Sequence, residues 1–174
     1  MKEYGIEDGI KVDLNRLISA PMPKEAYVKA HQYLPIACHD VFIEYQGGIL
    51  LVVRNNLPAK DILWMIGGRI QRGVPILESL KQKVKEECGL EIDQIVELGT
   101  GRTLFKTDPF GHGKGTDTVN WVYFAKGSVR IKLDKFHKKP MIVKPTNYTA
   151  AFRKSLHPYV RDFMDKAMRM VGKK

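Results

Sequence analysis

The stretch GGRIQRGVPILESLKQKVKEECGLEI, residues 67–92, carries the most information about the fold. It begins with a glycine pair, passes through a loop with a further glycine and a proline, and continues with apolar residues at three- and four-residue spacing. That spacing predicts a helix with one buried face. The apolar positions of this face are Leu77, Leu80, Val84 and Cys88. The run ends near Glu86 and Glu87, where the helix macrodipole disfavours anions, so the pair indicates either a stability cost or a bound cation.

The segments on either side predict further strands and helices. Upstream, PKEAYVKAHQYL predicts a short helix. CHDVFIEYQGGILLVVRNN predicts a hairpin joined at Gln46-Gly47-Gly48, and the end of LPAKDILWMI predicts a further short strand. Downstream, EIDQIVELGTGRTLFKTD predicts one or two strands, and GTDTVNWVYFAKGSVRIKL predicts a pair broken at Gly127. A final helix is predicted from about Thr149, with a kink or a fresh start at Pro158. This order indicates a mixed sheet flanked by helices, in either an α+β or an α/β/α arrangement.

Chain length and composition limit the class of protein. With 174 residues the chain is long enough for one domain, in which 1–33 form an N-terminal extension and helix and 149–174 a C-terminal helix. The N-terminus is charged and polar where a signal peptide is apolar, and no apolar run approaches the ~18 residues of a membrane span. We therefore expect a cytoplasmic protein without membrane contact. Cys38 and Cys88 lack a CxxC spacing, which predicts two reduced cysteines in the core.

The net charge of +10 indicates anionic partners. Much of the excess lies in KLDKFHKKPMIVK and in the C-terminal RMVGKK. Two interpretations remain open for the first segment: a solvated basic surface, or a contact with a phosphate-bearing ligand or nucleic acid. His137 lies in this segment, and a lone histidine among lysines is usually exposed, so the surrounding residues favour an exposed side chain.

The opening stretch resembles the Nudix box, G-x5-E-x7-R-E-U-x-E-E-x-G-U with U an aliphatic residue, which is the signature of Nudix hydrolases. Gly68 falls on the first glycine, and EECGL at residues 86–90 falls on the last five positions. Three polar positions differ from the box, because Val74, Gln82 and Lys83 replace glutamate, arginine and glutamate. The resemblance implies a Nudix-type α/β/α sandwich, an α/β fold with a mixed β-sheet flanked by helices.

Within the Nudix family, the chain is similar to the GDP-mannose mannosyl hydrolases, whose box is eroded in a comparable way. The matching residues are Asp40 in CHDVFIEY, Arg54 in LLVVRNN, Arg69 in GGRIQ and Asp117 in GTD. The resemblance implies that the two arginines bind the diphosphate and assist the leaving group, and that the two aspartates contact the substrate. His137 falls on the general-base histidine of that subgroup, next to Phe136 where the subgroup has a metal-binding glutamine.

The resemblance also implies a metal site at the end of the helix. Its ligands would be the carboxylates of Glu86 and Glu87 and the backbone carbonyl of Gly68. These are the hard oxygen donors that Mg²⁺, or alternatively Mn²⁺, accepts. A metal there would offset the unfavourable position of two carboxylates at a helix C-terminus. Because Lys83 replaces an acid, the site loses negative charge, and one metal ion is expected rather than two or three.

The implied activity is Mg²⁺-dependent hydrolysis of a nucleoside diphosphate linked to another moiety, such as the nucleotide sugar GDP-mannose. Two mechanisms remain open. In one, water attacks phosphorus with Glu86 as the base. In the other, water attacks the anomeric carbon with His137 as the base. The missing glutamates at Val74 and Lys83 favour the second mechanism.

A different class of function fits the same residues: a catalytically impaired Nudix-fold domain that binds a nucleotide or nucleic acid without hydrolysing it. The altered box residues and the charge of +10 favour this alternative. Retention of Gly68, Glu86, Glu87 and the arginines opposes it, so nucleic acid is the less favoured partner. Nudix proteins often form homodimers, and the resemblance leaves a monomer and a homodimer both open.

Overall fold

A computed structural model describes residues 1–7, 10–18 and 22–173. A short hairpin and one helix come first, namely β1 (Ile6–Glu7), β2 (Ile10–Lys11) and α1 (Lys24–Tyr33). The central elements are β3 (Ile36–Tyr45), β4 (Gly48–Arg54), β5 (Leu63–Trp64), β6 (Ile66–Arg69) and α2 (Ile76–Cys88). The remaining elements are β7 (Glu91–Phe105), β8 (Thr116–Ser128), β9 (His137–Val143), α3 (Ala150–Ser155) and α4 (Pro158–Met168).

Strand β3 is the centre of a mixed seven-stranded sheet. One edge of β3 pairs in parallel with β8, and β8 pairs antiparallel with the edge strand β7. The other edge of β3 pairs antiparallel with β6 over its first half and with β4 over its second half. Strand β4 in turn pairs with β5 and β9. This arrangement places His39 opposite Gly68 and Asp40 opposite Gly67, so the glycine pair of the quoted stretch lies directly on β3.

Each face of the sheet carries a hydrophobic core, which confirms the α/β/α layers. Successive residues of β3 point to opposite faces, so that Val41 and Ile43 join one core and Phe42 joins the other. Helix α2 covers the first face with Ile76, Leu80, Val84 and Cys88. Helix α4 covers the second face with Tyr159, Val160, Phe163, Met164 and Ala167.

The first buried residue of helix α2 is Ile76, one residue before Leu77, which the sequence predicted for this face. Ile76 is buried, whereas Leu77 is 39% exposed, so the prediction that Leu77 lies on the buried face was wrong. The helix starts directly after Pro75, and from this start four-residue spacing brings Ile76 onto the same face as the other apolar residues. It ends at Cys88, and Gly89, whose left-handed conformation has φ 73°, forms the C-cap.

Strand β8 runs without a break through Gly127 to Ser128, and β9 begins at His137. The predicted pair of strands broken at Gly127 was therefore wrong. Gly127 serves packing instead of a turn, because a Cβ there would lie 2.6 Å from Ile43 Cγ2 and 3.3 Å from Leu90 Cδ1. Strand β7 is likewise one strand, with two register shifts along its length.

Two predictions about chain breaks are confirmed. The hairpin of β3 and β4 turns at Gln46 and Gly47, which both have positive φ, as a two-residue turn requires. Pro158 begins a new helix, because α3 and α4 are separate. At the start of α4, the Tyr159 N–H donates to His157 Nδ1 at 3.3 Å.

The two cysteines are unpaired and buried, as the sequence predicted. Burial raises the pKa of the Cys38 thiol to about 12 and that of Cys88 to about 11, which favours the protonated thiol at neutral pH. Within the described ranges, every helix is too short or too polar to cross a bilayer.

Candidate active site

A cavity of about 810 Å³ lies against β3 and is bounded by α1, the end of α2 and the start of β9. It is wide enough for a ligand of nucleotide size. Of the residues that the sequence predicted for the site, the cavity is lined by Asp40, Arg54, Gly68, Arg69, Glu87 and His137. The fold therefore brings together residues from five separate elements, namely β3, β4, β6, α2 and β9.

The C-terminus of α2 and the segment 130–137 build the site together. The last carbonyls of an α-helix have no partner within the helix. Here the Lys132 N–H donates to the Cys88 carbonyl at 2.8 Å, and the Asp134 N–H donates to the Glu87 carbonyl at 3.0 Å. These bonds attach the connection between β8 and β9 to the end of α2, and they bring His137 to the side chain of Glu87.

Glu87 is the carboxylate at the end of α2 that faces the cavity, with 15% of its side chain exposed. Its Oε2 accepts a hydrogen bond from the Gly67 N–H at 3.4 Å, and a Cβ on Gly68 would lie 3.8 Å from its Oε1. Burial raises the pKa of Glu87 to about 7, although Lys83 opposes the shift. A carboxylate so withdrawn from water, with few donors around it, favours a bound cation.

His137 is buried, so the expectation of an exposed side chain was wrong. His137 is the first residue of β9 and pairs with Arg54 of β4, and this pairing places the imidazole in the cavity wall. Its Nδ1 lies 2.8 Å from Asp134 Oδ1, and its Nε2 lies 3.8 Å from Glu87 Oε2. Burial lowers the pKa of His137, and the bond to Asp134 opposes the shift. The imidazole is therefore neutral at neutral pH, as a general base must be.

Arg54, at the end of β4, places a half-buried guanidinium in the cavity. Its Nη2 donates to Asn56 Oδ1 at 3.2 Å, while its buried Nε has no hydrogen-bond partner among the described residues. Burial lowers the pKa of Arg54, and the negative charges of Glu87 and Asp40 oppose the shift. A guanidinium in this setting is suited to bind the oxygens of a diphosphate.

Asp40, on β3, is buried at the cavity wall. The hydroxyl of Tyr159 in α4 donates to Asp40 Oδ2 at 2.6 Å. Burial raises the pKa of Asp40 to about 6, although Tyr159 and Arg54 favour the charged form. A Cβ at Gly67 would overlap both Asp40 Oδ1 and the His39 carbonyl. The close approach of β6 to Asp40 therefore requires glycine at position 67.

Arg69 lies at the exposed rim of the cavity, apart from the cluster around Glu87. Its guanidinium is 4.4 Å from the centre of the Tyr27 ring of α1. Tyr27 also contacts Phe110, with the two ring centres 5.3 Å apart. The rim is thus aromatic and basic, which suits a planar or anionic part of a ligand.

Two of the predicted residues lie outside the cavity lining. Glu86 is on the exposed face of α2, where its carboxylate accepts hydrogen bonds from Gln82 at 2.9 Å and from Lys83 at 3.2 Å. Asp117 forms an ion pair with Arg102, at 2.7 Å, on the paired strands β7 and β8. The structure does not bring either carboxylate to Glu87 or His137.

Two residues of the site were missed in the sequence. Asp134 lies three residues before His137, and the spacing D-x-x-H was a signal that could have linked its carboxylate to the imidazole. Tyr159 reaches Asp40 from the last helix, 119 residues along the chain. No local pattern connects residues so far apart.

The residues at the cavity fit a single Mg²⁺ better than a cluster of ions. In the part of the chain that the structure describes, no group of three or more His, Cys, Asp or Glu side chains is placed to hold a metal. Glu87 supplies one carboxylate beside the backbone of Gly67 and Gly68. Because Mg²⁺ is commonly held by one or two carboxylates together with substrate phosphates and water, this donor set suits one ion completed by a diphosphate.

Comparisons with known proteins concern the fold. No protein-family model matches the chain. The low-salt glycan biosynthesis protein Agl8 of Haloferax volcanii is 24% identical over 136 residues, which cover 76% of this chain and 81% of that protein. A MutT NUDIX hydrolase from Burkholderia pseudomallei has a similar structure, with a TM-score of 0.60 and 18% identity over 75% of this chain and 96% of that chain. The NUDIX domain of Shewanella oneidensis NrtR, complexed with ADP ribose, gives a TM-score of 0.58 and 16% identity over 85% and 98%. The chain therefore has the Nudix fold.

Proposed function

We propose that this protein hydrolyses a nucleoside diphosphate linked to a sugar, such as GDP-mannose, with one Mg²⁺ or Mn²⁺ as cofactor. The observation that carries the proposal is the convergence of three side chains in one cavity. Glu87 would hold the metal, His137 Nε2 lies 3.8 Å from the Glu87 carboxylate and would act as the base, and Arg54 offers donors to phosphate. These three side chains form no short hydrogen bonds with one another, so each is able to bind a ligand.

The charge of the cavity and two similar proteins support this class of substrate. Basic residues in the lining outnumber the acidic ones, and a positive surplus favours a diphosphate. The basic residues are Arg54, Lys60, Arg69 and Lys83, and the acidic ones are Asp40 and Glu87. The NrtR domain is complexed with ADP ribose, a nucleotide joined to a sugar, and Agl8 is described as a glycan biosynthesis protein.

The proposed reaction is attack of water on the anomeric carbon. The water oxygen forms a bond to the anomeric carbon while the bond between this carbon and the diphosphate oxygen breaks. The electron pair of the broken bond leaves with the nucleoside diphosphate. His137 Nε2 takes a proton from the water and later releases it to solvent. Arg54 donates to the diphosphate oxygens, whose negative charge increases as the bond breaks. Glu87 and the Gly68 carbonyl would hold the Mg²⁺, which supplies further neutralisation of the leaving group.

The positions of the carboxylates favour attack at carbon over attack at phosphorus. Attack at phosphorus needs a carboxylate base near the metal, which is the role that the sequence left open for Glu86. The Glu86 carboxylate is instead engaged by Gln82 and Lys83 on the exposed face of α2. His137, by contrast, faces the cavity beside Glu87. The base available to a bound water is therefore an imidazole.

Turnover of a substrate panel tests the proposal. The wild-type protein with Mg²⁺ is incubated with GDP-mannose, UDP-glucose and ADP-ribose, and the products are identified by mass spectrometry. We expect nucleoside diphosphate and free sugar from at least one nucleotide sugar, and no turnover in the presence of EDTA. Absence of turnover with every member, combined with tight nucleotide binding, would overturn the proposal in favour of a non-catalytic binding domain. Binding of nucleic acid that weakens steeply with salt would identify the ligand of that alternative.

A further inference from the structure

The imidazole of His137 lies between two carboxylates that it contacts differently. Nδ1 is 2.8 Å from Asp134 Oδ1, which is a short hydrogen bond. Nε2 is 3.8 Å from Glu87 Oε2, which is too long for one. The His137 side chain is 4% exposed and that of Asp134 is 23% exposed, so the bond between them is largely shielded from water.

This difference decides which ring nitrogen carries the proton. A carboxylate oxygen accepts hydrogen bonds, so Nδ1 must be the donor in the bond to Asp134. In a neutral imidazole the other nitrogen then has no proton, and its lone pair is free to accept one. Nε2 is the nitrogen on the side of Glu87, within the cavity.

Asp134 is itself held firmly in place. Its N–H donates to the Glu87 carbonyl at 3.0 Å, and its Oδ1 also accepts the Phe136 N–H at 2.9 Å. The aspartate is thus tied to the end of α2 through its backbone and to the start of β9 through its side chain. Asp134 therefore fixes the orientation of the His137 ring relative to Glu87.

We propose that Asp134 is a positioning residue, which holds His137 in the Nδ1–H tautomer so that Nε2 can take the proton of the attacking water. This inference rests on the proposed function, because it gives Asp134 a role in the same reaction. Asp134 contacts neither water nor substrate in this scheme. It acts through the imidazole alone.

Three variants test the role of Asp134 in turnover. Asp134→Ala removes the acceptor, and we expect kcat to fall about 10- to 100-fold while KM changes by less than about threefold. Asp134→Asn keeps an oxygen that accepts from both Nδ1 and Phe136, so its kcat should stay within about fivefold of wild type. Asp61→Asn is the matched control, because Asp61 is an exposed aspartate that binds the neighbouring Lys138. Its kinetic constants should equal those of wild type.

The tautomer is measured without substrate, by two-bond ¹H–¹⁵N correlation spectra of the histidine rings at pH 8, with His137→Gln to assign the signals. We expect the Nδ1–H form in wild type and Asp134→Asn, and a shift toward Nε2–H in Asp134→Ala. An Nε2–H form in wild type, or no shift in Asp134→Ala, would overturn the inference. Unchanged kcat in a tautomer-shifted Asp134→Ala would overturn the positioning role as well. If the wild-type protein shows the expected tautomers but hydrolyses no substrate, the proposed function would be wrong, while the effect of Asp134 on the tautomer would be confirmed.

Discussion

Glu87 Oε2 and His137 Nε2 lie 3.8 Å apart, although the two residues belong to α2 and β9. The hydrogen bond from the Asp134 N–H to the Glu87 carbonyl attaches the segment that leads into β9 to the end of α2. Because the distance is too long for a direct hydrogen bond, each group keeps an atom that can bind a ligand. The pair is therefore suited to hold a cation on one side and a water on the other.

Glu87→Gln removes the proposed metal ligand with little change in size. We expect kcat/KM to fall by at least about 100-fold at saturating Mg²⁺, since a neutral amide binds the ion weakly. The melting temperature should stay the same or rise, because burial disfavours the charged carboxylate. Glu78→Gln is the matched control, since Glu78 is exposed on the same helix and pairs with Lys81. Full activity of Glu87→Gln would contradict the role given to this carboxylate.

Arg54→Lys keeps the positive charge but removes the planar fork that binds two phosphate oxygens at once. We expect kcat/KM to fall by about 10- to 100-fold, with kcat affected because the contact strengthens as the leaving group departs. Steady-state kinetics with the best substrate of the panel measures the change. Arg102→Lys, at an exposed arginine paired with Asp117, should retain wild-type constants. Equal losses in the two variants would show that Arg54 has no special contact with substrate.

Gly67 and Gly68 should respond differently to alanine. A Cβ at Gly67 overlaps the Asp40 carboxylate and the His39 carbonyl, whereas one at Gly68 lies 3.6 Å from the Lys83 side chain. We expect Gly67→Ala to lower the free energy of unfolding by about 1–3 kcal/mol or more. Gly68→Ala should change it by less than about 1 kcal/mol. Urea denaturation of the two variants measures the difference, and a reversed order would contradict the described packing of β6 on β3.

Asp40 should make the protein less stable as the pH rises. Burial raises its pKa from 3.8 to about 6, so the folded state holds this proton more tightly than the unfolded chain. The contribution of Asp40 to the free energy of unfolding therefore falls between about pH 4 and pH 6 and stays low above pH 6. Asp40→Asn removes the titration while an amide oxygen can still accept from Tyr159. We expect this variant to match wild type near pH 4 and to exceed it by up to roughly 3 kcal/mol at pH 7.

A control for the pH experiment is Asp165→Asn. The hydrogen bond from Arg153 holds the pKa of Asp165 below its usual value, so this group stabilises the fold above its unfolded pKa. Asp165→Asn should therefore be less stable than wild type at pH 7, and the difference should disappear as the pH falls through the lowered pKa. Urea-unfolding curves between pH 3 and pH 7.5 distinguish the two signs. The same sign for both variants would contradict the assigned environment of Asp40.

The layers of the fold could be predicted from the sequence, because apolar periodicity and glycine turns are local signals. The hairpin joint within Gln46-Gly47-Gly48 was predicted from such signals and is present. At Pro158 the sequence predicted either a kink or a fresh start, and the structure has the fresh start. Gly127 misled the prediction because a glycine required for close packing and one required for a turn look alike in the sequence. The distinction depends on Ile43 in β3 and on Leu90 between α2 and β7, which both lie against Gly127.

The site was predictable where the resemblance supplied a motif, and not where the contacts are long-range. Gly68, Glu87 and Arg54 were assigned through the resemblance to the Nudix box and the subgroup pattern, and they line one cavity. The burial of His137 depends on the pairing of β9 with β4, and the position of Asp134 depends on its bond to the end of α2. The strand pairing and the backbone bond to Glu87 leave no local pattern, whereas the contact of Asp134 with His137 does, in the spacing D-x-x-H.

The measurement that tests the central claim most directly is the position of the label after hydrolysis in ¹⁸O-water. The nucleotide sugar that is turned over fastest is incubated with the protein and Mg²⁺, and the masses of both products are determined by mass spectrometry. Attack at the anomeric carbon, with His137 as the base, predicts ¹⁸O in the free sugar and none in the nucleoside diphosphate. Label on a phosphate group, with unlabelled sugar, would contradict the account and indicate attack at phosphorus.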